Sequence, residues 1–330
     1  MAIIVKNLCK NFEYYKKGLG FKKSIQNLFH REMLVKEAVK NLSFEIESGE
    51  FVGFLGPNGA GKTTTLKIMS GILYPTSGTA TVDSFVPWER KKEFKKHFSI
   101  VMGQKSQLWT DLPANESLNL NKYIYEIDDK EYQKNVEELS ELLDAKDIMQ
   151  TQVRKLSLGE RMKLELIASL IHSPNVLFLD EPTIGLDFIS QKRIREFLKY
   201  YNEQKKATII LTSHYINDIE ALCNRTIIIN SGNLVFDGKI GDITKQIGNK
   251  KNLKIQFRDI VEKNRVEKYG TVKKYDGHSV LLEVDGEYLK EHIGDIFKEL
   301  PIVDYSISDL PIEDGIIKMY QQGGEHDEKN

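Results

Sequence analysis

The chain has 330 residues, 48 acidic side chains against 47 basic ones, and two cysteines. That length accommodates a large α/β domain plus a smaller one, each burying its own core. The near balance of charge excludes a whole-molecule field drawing the protein to nucleic acid or an anionic bilayer, so no nucleic-acid partner is expected.

Cys9 and Cys223 lack metal-ligand spacing and fit a reducing cytosol. No stretch approaches the roughly 18 consecutive apolar residues of a membrane span, and the N-terminus carries no long apolar signal region. The chain is expected in the cytoplasm, and any pore it serves must belong to other polypeptides.

Between Tyr14 and Glu32, basic residues (Lys16, Lys17, Lys22, Lys23, Arg31) mix with Leu19, Phe21, Ile25, Leu28 and Phe29. That pattern suits an element lying on lipid headgroups or, equally, a surface flap. Four short apolar runs follow: Phe51 to Leu55, Phe98 to Met102, Val176 to Leu179 and Thr208 to Leu211. They read as strands buried on both faces, separated by helical patterns such as Ile194, Phe197, Leu198 and Tyr201. The fold class is therefore α/β with a largely parallel sheet.

Directly after the first strand comes Gly56-Pro57-Asn58-Gly59-Ala60-Gly61-Lys62-Thr63, followed by Thr64. This is the phosphate-binding loop of a P-loop NTPase, G-x-x-x-x-G-K-[ST] in the strand-to-helix context it requires. Backbone N–H groups and the start of a helix over Lys62 to Ser70 face the phosphates of a nucleotide, which GTPases, kinases and motor ATPases all hold in this way. Lys62 adds a full charge, and Thr63 a hydroxyl for Mg²⁺.

Ligands in open α/β sheets collect beyond the carboxyl ends of the strands. The other three strands lead to Gln104, to Asp180-Glu181 and to His214, so these side chains are expected to converge on the P-loop. Asp180 suits holding Mg²⁺ together with Thr63 and Gln104, Glu181 suits deprotonating an attacking water, and His214 completes the catalytic set with Lys62 and Gln104.

Helical spacing from Asn115 to about Ala145, with Leu120, Tyr123, Ile124, Ile127, Val136, Leu139 and Leu143, reads as an inserted helical subdomain, bounded near 106–172. Ser157 and Glu160 form an S-x-x-E capping box opening a helix. After Asp237-Gly238 the pattern turns to alternation: Leu253, Ile255, Phe257; Val280, Leu282, Val284 behind an Asp276-Gly277 turn; and Val303, Tyr305, Ile307. With helices from Glu287 to Leu300 and after Pro311, this predicts a small α+β domain over 241–322, read as a ferredoxin-like sandwich. A disordered tail is expected over 323–330.

Leu156-Ser157-Leu158-Gly159-Glu160, placed between Gln104 and Asp180, resembles the LSGGQ signature of ATP-binding subunits of ABC transporters. The resemblance covers about residues 1–237, within an ATP-binding domain expected over 1–240, and includes a D-loop at Gly185-Leu186-Asp187. It implies an added N-terminal antiparallel β-subdomain and a head-to-tail dimer, homomeric or with a paired ATPase subunit. Ser157, Gly159 and Glu160 would there contact the γ-phosphate held by the other P-loop.

Cys9-Lys10-Asn11-Phe12 resembles the family's A-loop, which makes Phe12 the expected adenine platform. Tyr14 and Tyr15 compete for that role, and a plain core position is the alternative. Leu158 and Glu160 depart from glycine and glutamine in the signature. Glu160 adds charge near the polyphosphate unless it turns back to its own cap.

The resemblance further implies an ATPase, peripheral on the inner face of the cell membrane, that drives transmembrane permease subunits. Trp109 and Leu112, in the stretch after Gln104, are the expected anchors. Bacterial ABC-2-type exporters are the nearest likeness. An importer motor, a soluble ABC ATPase acting on ribosomes or nucleic acid, and a regulator that binds ATP without turnover are the alternatives.

Overall fold

The computed structural model describes residues 1–15, 33–103, 105–213, 215–246 and 248–324. Gln104, His214, the basic run from Lys16 to Glu32 and residues 325–330 of the expected tail lie outside the described residues. The chain divides into two units, Met1–Gly238 and a second from Lys239 onward.

The first unit opens with β1 (Ile3–Tyr15) and β2 (Met33–Ile46), paired antiparallel, followed by β3 (Phe51–Leu55) and α1 (Lys62–Met69). Then come β4 (Ser77–Val82), α2 (Lys92–His97), β5 (Phe98–Met102), α3 (Ala114–Tyr125), α4 (Asp129–Leu142) and α5 (Leu158–Leu170). The unit closes with β6 (Val176–Asp180), α6 (Phe188–Lys205), β7 (Thr208–Thr212), α7 (Ile216–Leu222), β8 (Arg225–Asn230) and β9 (Asn233–Lys239).

Two sheets result, β2-β1-β4 and β5-β6-β7-β3-β8-β9. The second is parallel from β5 through to β8. Every residue of β3 and β7 is buried, which is why these strands read as unbroken apolar runs. Sequence patterning missed β8 and β9, although Thr226 to Asn230 of β8 is buried throughout like the other central strands. A single core joins the sheets around α1, with Ile3, Leu42, Phe54, Leu66, Met69 and Phe178 inside it.

The helical subdomain expected from Asn115 opens with two helices. Glu126 ends α3 in the left-handed conformation, and Asp128 caps α4 by accepting from the N–H groups of Lys130 and Glu131. The expected apolar face of α3 is not core: Leu120, Tyr123 and Ile124 are exposed, while Ala114, Ser117 and Leu118 face inward.

The second unit contains α8 (Ile240–Gln246), β10 (Lys250–Phe257), α9 (Lys263–Glu267), β11 (Thr271–Tyr275), β12 (Ser279–Asp285), α10 (Gly286–Glu299), β13 (Ile302–Asp309) and α11 (Ile312–Gly324). Strands β10 to β13 form an antiparallel sheet of order β11-β12-β10-β13, the order and βαββαβ connectivity of a ferredoxin-like sandwich. Its core holds Leu253, Ile255, Phe257, Val280, Leu282, Val284, Leu289 and Ile296.

The alternation in β13 has a different outcome. Ile307 and Tyr305 pair with Leu253 and Ile255 and share their face, yet Val303, Tyr305 and Ile307 are exposed because β13 is the sheet edge. Helix α11 also runs to Gly324, two residues into the expected tail.

Candidate active site

The loop Gly56 to Gly61 leaves β3 and turns straight into α1, with Gly61 as the N-cap at φ 106°. Lys62, the first residue of α1, is 6% exposed, and its Nζ donates to the carbonyl oxygens of Gly56 at 2.6 Å and Pro57 at 3.2 Å. Burial pulls the Lys62 ammonium below its ordinary pKa, and the Glu181 and Asp180 carboxylates oppose that shift.

Three elements meet on Asp180 at the end of β6. Thr63 Oγ1, from α1, donates to Asp180 Oδ2 at 3.0 Å, and Thr212 Oγ1, from β7, donates to Oδ1 at 2.7 Å. Glu181, next in the chain, has φ +56°, and its N–H donates to both the carbonyl oxygen and Oγ1 of Thr212 at 3.1 Å. Left-handed backbone at a glutamate is uncommon and needs such a hold. Gly103, just before Gln104, is tied to the same corner by its N–H to the Asp180 carbonyl at 2.9 Å.

A cavity of about 380 Å³ lies over the P-loop, bounded by residues 58–64, Glu181 and, from the antiparallel sheet, Phe12, Tyr14 and Lys36. Phe12 is 37% exposed and is therefore no core residue. Tyr14 borders the same space, whereas Tyr15 does not. Lys36 stands opposite Phe12 in the β1–β2 register.

A fully buried Asp218 backs the site. It accepts from Thr183 Oγ1 at 2.5 Å, Ser213 Oγ at 2.9 Å and Arg195 Nη1 at 2.6 Å. The loop after Glu181 is thereby tied to the residue before His214.

The Ser157 cap of α5 is as patterned. Ser157 Oγ accepts from the Glu160 N–H at 3.3 Å, and Glu160 Oε2 accepts from Ser157 N at 2.9 Å and Ser157 Oγ at 2.7 Å. The Glu160 carboxylate thus folds onto its own cap, and the Ser157 hydrogen bonds hold its pKa below the usual range. Leu158 is 37% exposed. Gly159 is packed so closely that a Cβ there would sit 2.6 Å from Ser190 Oγ on α6.

A family model for ABC transporters matches residues 39–184, and one for the EvrA-like ABC transporter C-terminal domain matches 249–308. Over 212 residues the chain is 35% identical to the ABC transporter ATP-binding protein NatA of Bacillus subtilis, covering 64% of this chain and 86% of that one. The chain belongs to the ABC transporter ATP-binding family. It is likewise 35% identical over 213 residues to the linearmycin resistance ATP-binding protein LnrL of the same organism, covering 64% of this chain and 68% of that one. The fold also matches a dimeric ATP-binding cassette in a post-hydrolysis state bound to ADP and Pi, with TM-score 0.60, 25% identity, 72% of this chain and 98% of that chain.

As an ABC ATPase the chain binds and hydrolyses ATP. The described members of the expected set gather in two places: Lys62, Thr63, Asp180 and Glu181 together, and Ser157, Gly159 and Glu160 at the start of α5. Lys36, Thr212 and Asp218 went unseen in the sequence. Thr212 alone left a signal, a polar residue ending a buried strand just before Ser213-His214.

The Glu160 geometry of this ABC ATPase has a measurable consequence. Ser157→Ala is expected to lower stability by about 1 kcal/mol in a denaturant melt, the usual cost of a lost N-cap. Glu160→Gln, which preserves a capping box, is expected to change stability at pH 7 by under about 0.5 kcal/mol. With the folded pKa depressed, the carboxylate's contribution is present above the unfolded pKa and lost as pH falls through the folded one. The native chain should therefore show an acid-side loss that Glu160→Gln lacks.

Proposed function

We propose that this chain is the motor subunit of an exporter, working as a head-to-tail pair that drives separate transmembrane subunits from the inner face of the membrane. The observation that carries the reading is the convergence of Thr63, Asp180 and Glu181 beside Lys62 on the P-loop cavity. The residue roles below rest on that convergence and on the family's motif order.

The backbone N–H groups of residues 58–64 at the start of α1 cradle the phosphates, and Lys62 balances their charge. Thr63 and Asp180 offer only oxygen atoms, 3.0 Å apart, which suits a hard cation completed by substrate phosphates and water. Mg²⁺ held there would neutralise charge developing on the transferred phosphoryl group. Glu181 takes the proton of the attacking water, Gln104 and His214 report on the γ-phosphate, and Phe12, with Tyr14 beside it, meets the base.

The other nucleotide contact comes from the partner's α5. The first-turn N–H groups of Leu158 and Gly159 have no intrahelical acceptor, and with Glu160 folded back on its cap they are available to an anion.

Among the described residues no helix is long and apolar enough to cross a membrane. Trp109 is 58% exposed and Leu112 38%, and Tyr123 and Ile124 of α3 are exposed with them. Aromatic and aliphatic anchors of this kind suit a partner segment from the membrane. The resistance function in the name of LnrL favours export over import.

Purification of the chain from native membranes is expected to bring down polypeptides carrying many apolar spans. Recovery with soluble partners alone would remove the transport reading.

A further inference from the structure

We propose that Glu165 is a positioning residue that latches Ser106–Leu108, the segment just downstream of Gln104, to the signature helix, so that displacement of one is delivered to the other. The proposal rests on the reading above for its functional meaning, but its geometry is independent of it.

Glu165 lies in the middle of α5 and is 3% exposed, while Lys105, Ser106 and Gln107 are all exposed. A buried carboxylate thus holds an exposed loop from beneath. Burying a carboxylate is costly unless its oxygens are hydrogen-bonded. Here the bonds run to one short segment: Ser106 Oγ donates to Oε1 at 2.5 Å, and the Gln107 N–H donates to Oε2 at 3.0 Å and Oε1 at 3.2 Å. Using both oxygens fixes the loop in position and orientation together.

The attachments on either side extend the latch. Leu108 is buried and its N–H donates to Ser106 Oγ at 3.2 Å, and the Trp109 N–H donates to Ser117 Oγ of α3 at 2.9 Å. Upstream, Gly103 is bonded to Asp180, and the Lys105 N–H to the Met102 carbonyl at 2.9 Å. From Glu165 back to Ser157 is eight residues of helix, a rigid rod of about 12 Å.

Along α5 the neighbours Met162, Leu164, Leu166 and Ile167 are buried apolar residues. An apolar side chain at 165 would serve packing at least as well, since buried charges are weak contributors to stability. Linking the two segments is what glutamate adds. Burial raises the Glu165 pKa, and the Ser106 and Gln107 bonds act against that.

The test compares Glu165→Leu, which keeps the volume, with Glu165→Gln, which keeps an acceptor for the Gln107 N–H and a partner for Ser106. In hydrogen–deuterium exchange of the full chain without nucleotide, Glu165→Leu is expected to raise exchange at least fivefold at Gln107–Leu108 and at Glu160–Arg161, whose N–H groups are bonded to Ser157. Glu165→Gln should stay within twofold of native. In ATP titrations, Glu165→Leu should lower kcat about tenfold and remove cooperativity with half-saturation within twofold, and Glu165→Gln should restore both. Unchanged exchange at both segments, or full turnover and cooperativity in Glu165→Leu, overturns the latch. A native chain that does not hydrolyse ATP overturns the functional reading instead, and the exchange data still decide the latch.

Discussion

Glu181→Gln is expected to bind ATP as the native chain does while hydrolysing it at least about 100-fold more slowly, the lower end of what a positioned general base contributes. The backbone at this residue is held by groups the substitution does not touch. Its N–H donates to the carbonyl oxygen and hydroxyl of Thr212, and these bonds support the left-handed φ of +56°. A glutamine of nearly the same shape therefore stays where the glutamate was, bordering the same cavity as Lys62. What it loses is basicity. Phosphate release should collapse, and an ATP-dependent dimer should persist, visible as a doubled mass in light scattering. Phosphate release equal to native would remove Glu181 from the base role and revive the regulator that binds without turnover.

The parts of this site that were legible in the sequence are those where chain position and spatial position coincide. Asp180 ends β6 with Glu181 next in the chain, and Lys62 and Thr63 follow the glycine-rich loop that leaves β3, so in each case a strand buried on both faces points to the polar residues at its end or beyond it. Lys36 and Asp218 reach the site through pairing with distant segments: Lys36 through the β1–β2 register, and Asp218 through Thr183, 35 residues earlier. No local pattern encodes such a meeting. The long strands β1 and β2 escaped for a related reason. Register shifts interrupt their pairing, and the two-residue alternation is confined to Leu42 through Ile46 of β2, so no pattern extends along either strand.

In the second unit the alternation of β10 and β12 foretold the core, but the same alternation in β13 led to exposed side chains. Periodicity reports which face a residue takes, and only the strand order says whether that face is covered. The Leu120, Tyr123 and Ile124 stripe of α3 makes the same point for a helix.

Gly61→Ala is expected to abolish ATP binding, whereas Gly59→Ala should weaken it by no more than about tenfold. Both glycines have positive φ, at +106° and +83°, so alanine strains either backbone by about 1–2 kcal/mol. Their surroundings separate them. A Cβ on Gly59 meets nothing within 4 Å, but one on Gly61 would lie 2.4 Å from the Ala38 carbonyl oxygen. Ala38 cannot give way easily, because it lies in β2 beside Val39, which is buried and paired with Lys10 of β1.

The loop is fixed from the other side as well, by the Gly232 N–H donating to the Ala60 carbonyl at 3.0 Å. The displacement forced by an added methyl group must then fall on Gly61 itself, which caps α1 and aims its first N–H groups, and Lys62, at the phosphates. In a thermal melt, saturating ATP should raise the Tm of the native chain and of Gly59→Ala and leave that of Gly61→Ala unmoved. A nucleotide-dependent rise in Gly61→Ala matching that of Gly59→Ala would mean that β2 yields, and that the P-loop is not braced by the antiparallel sheet.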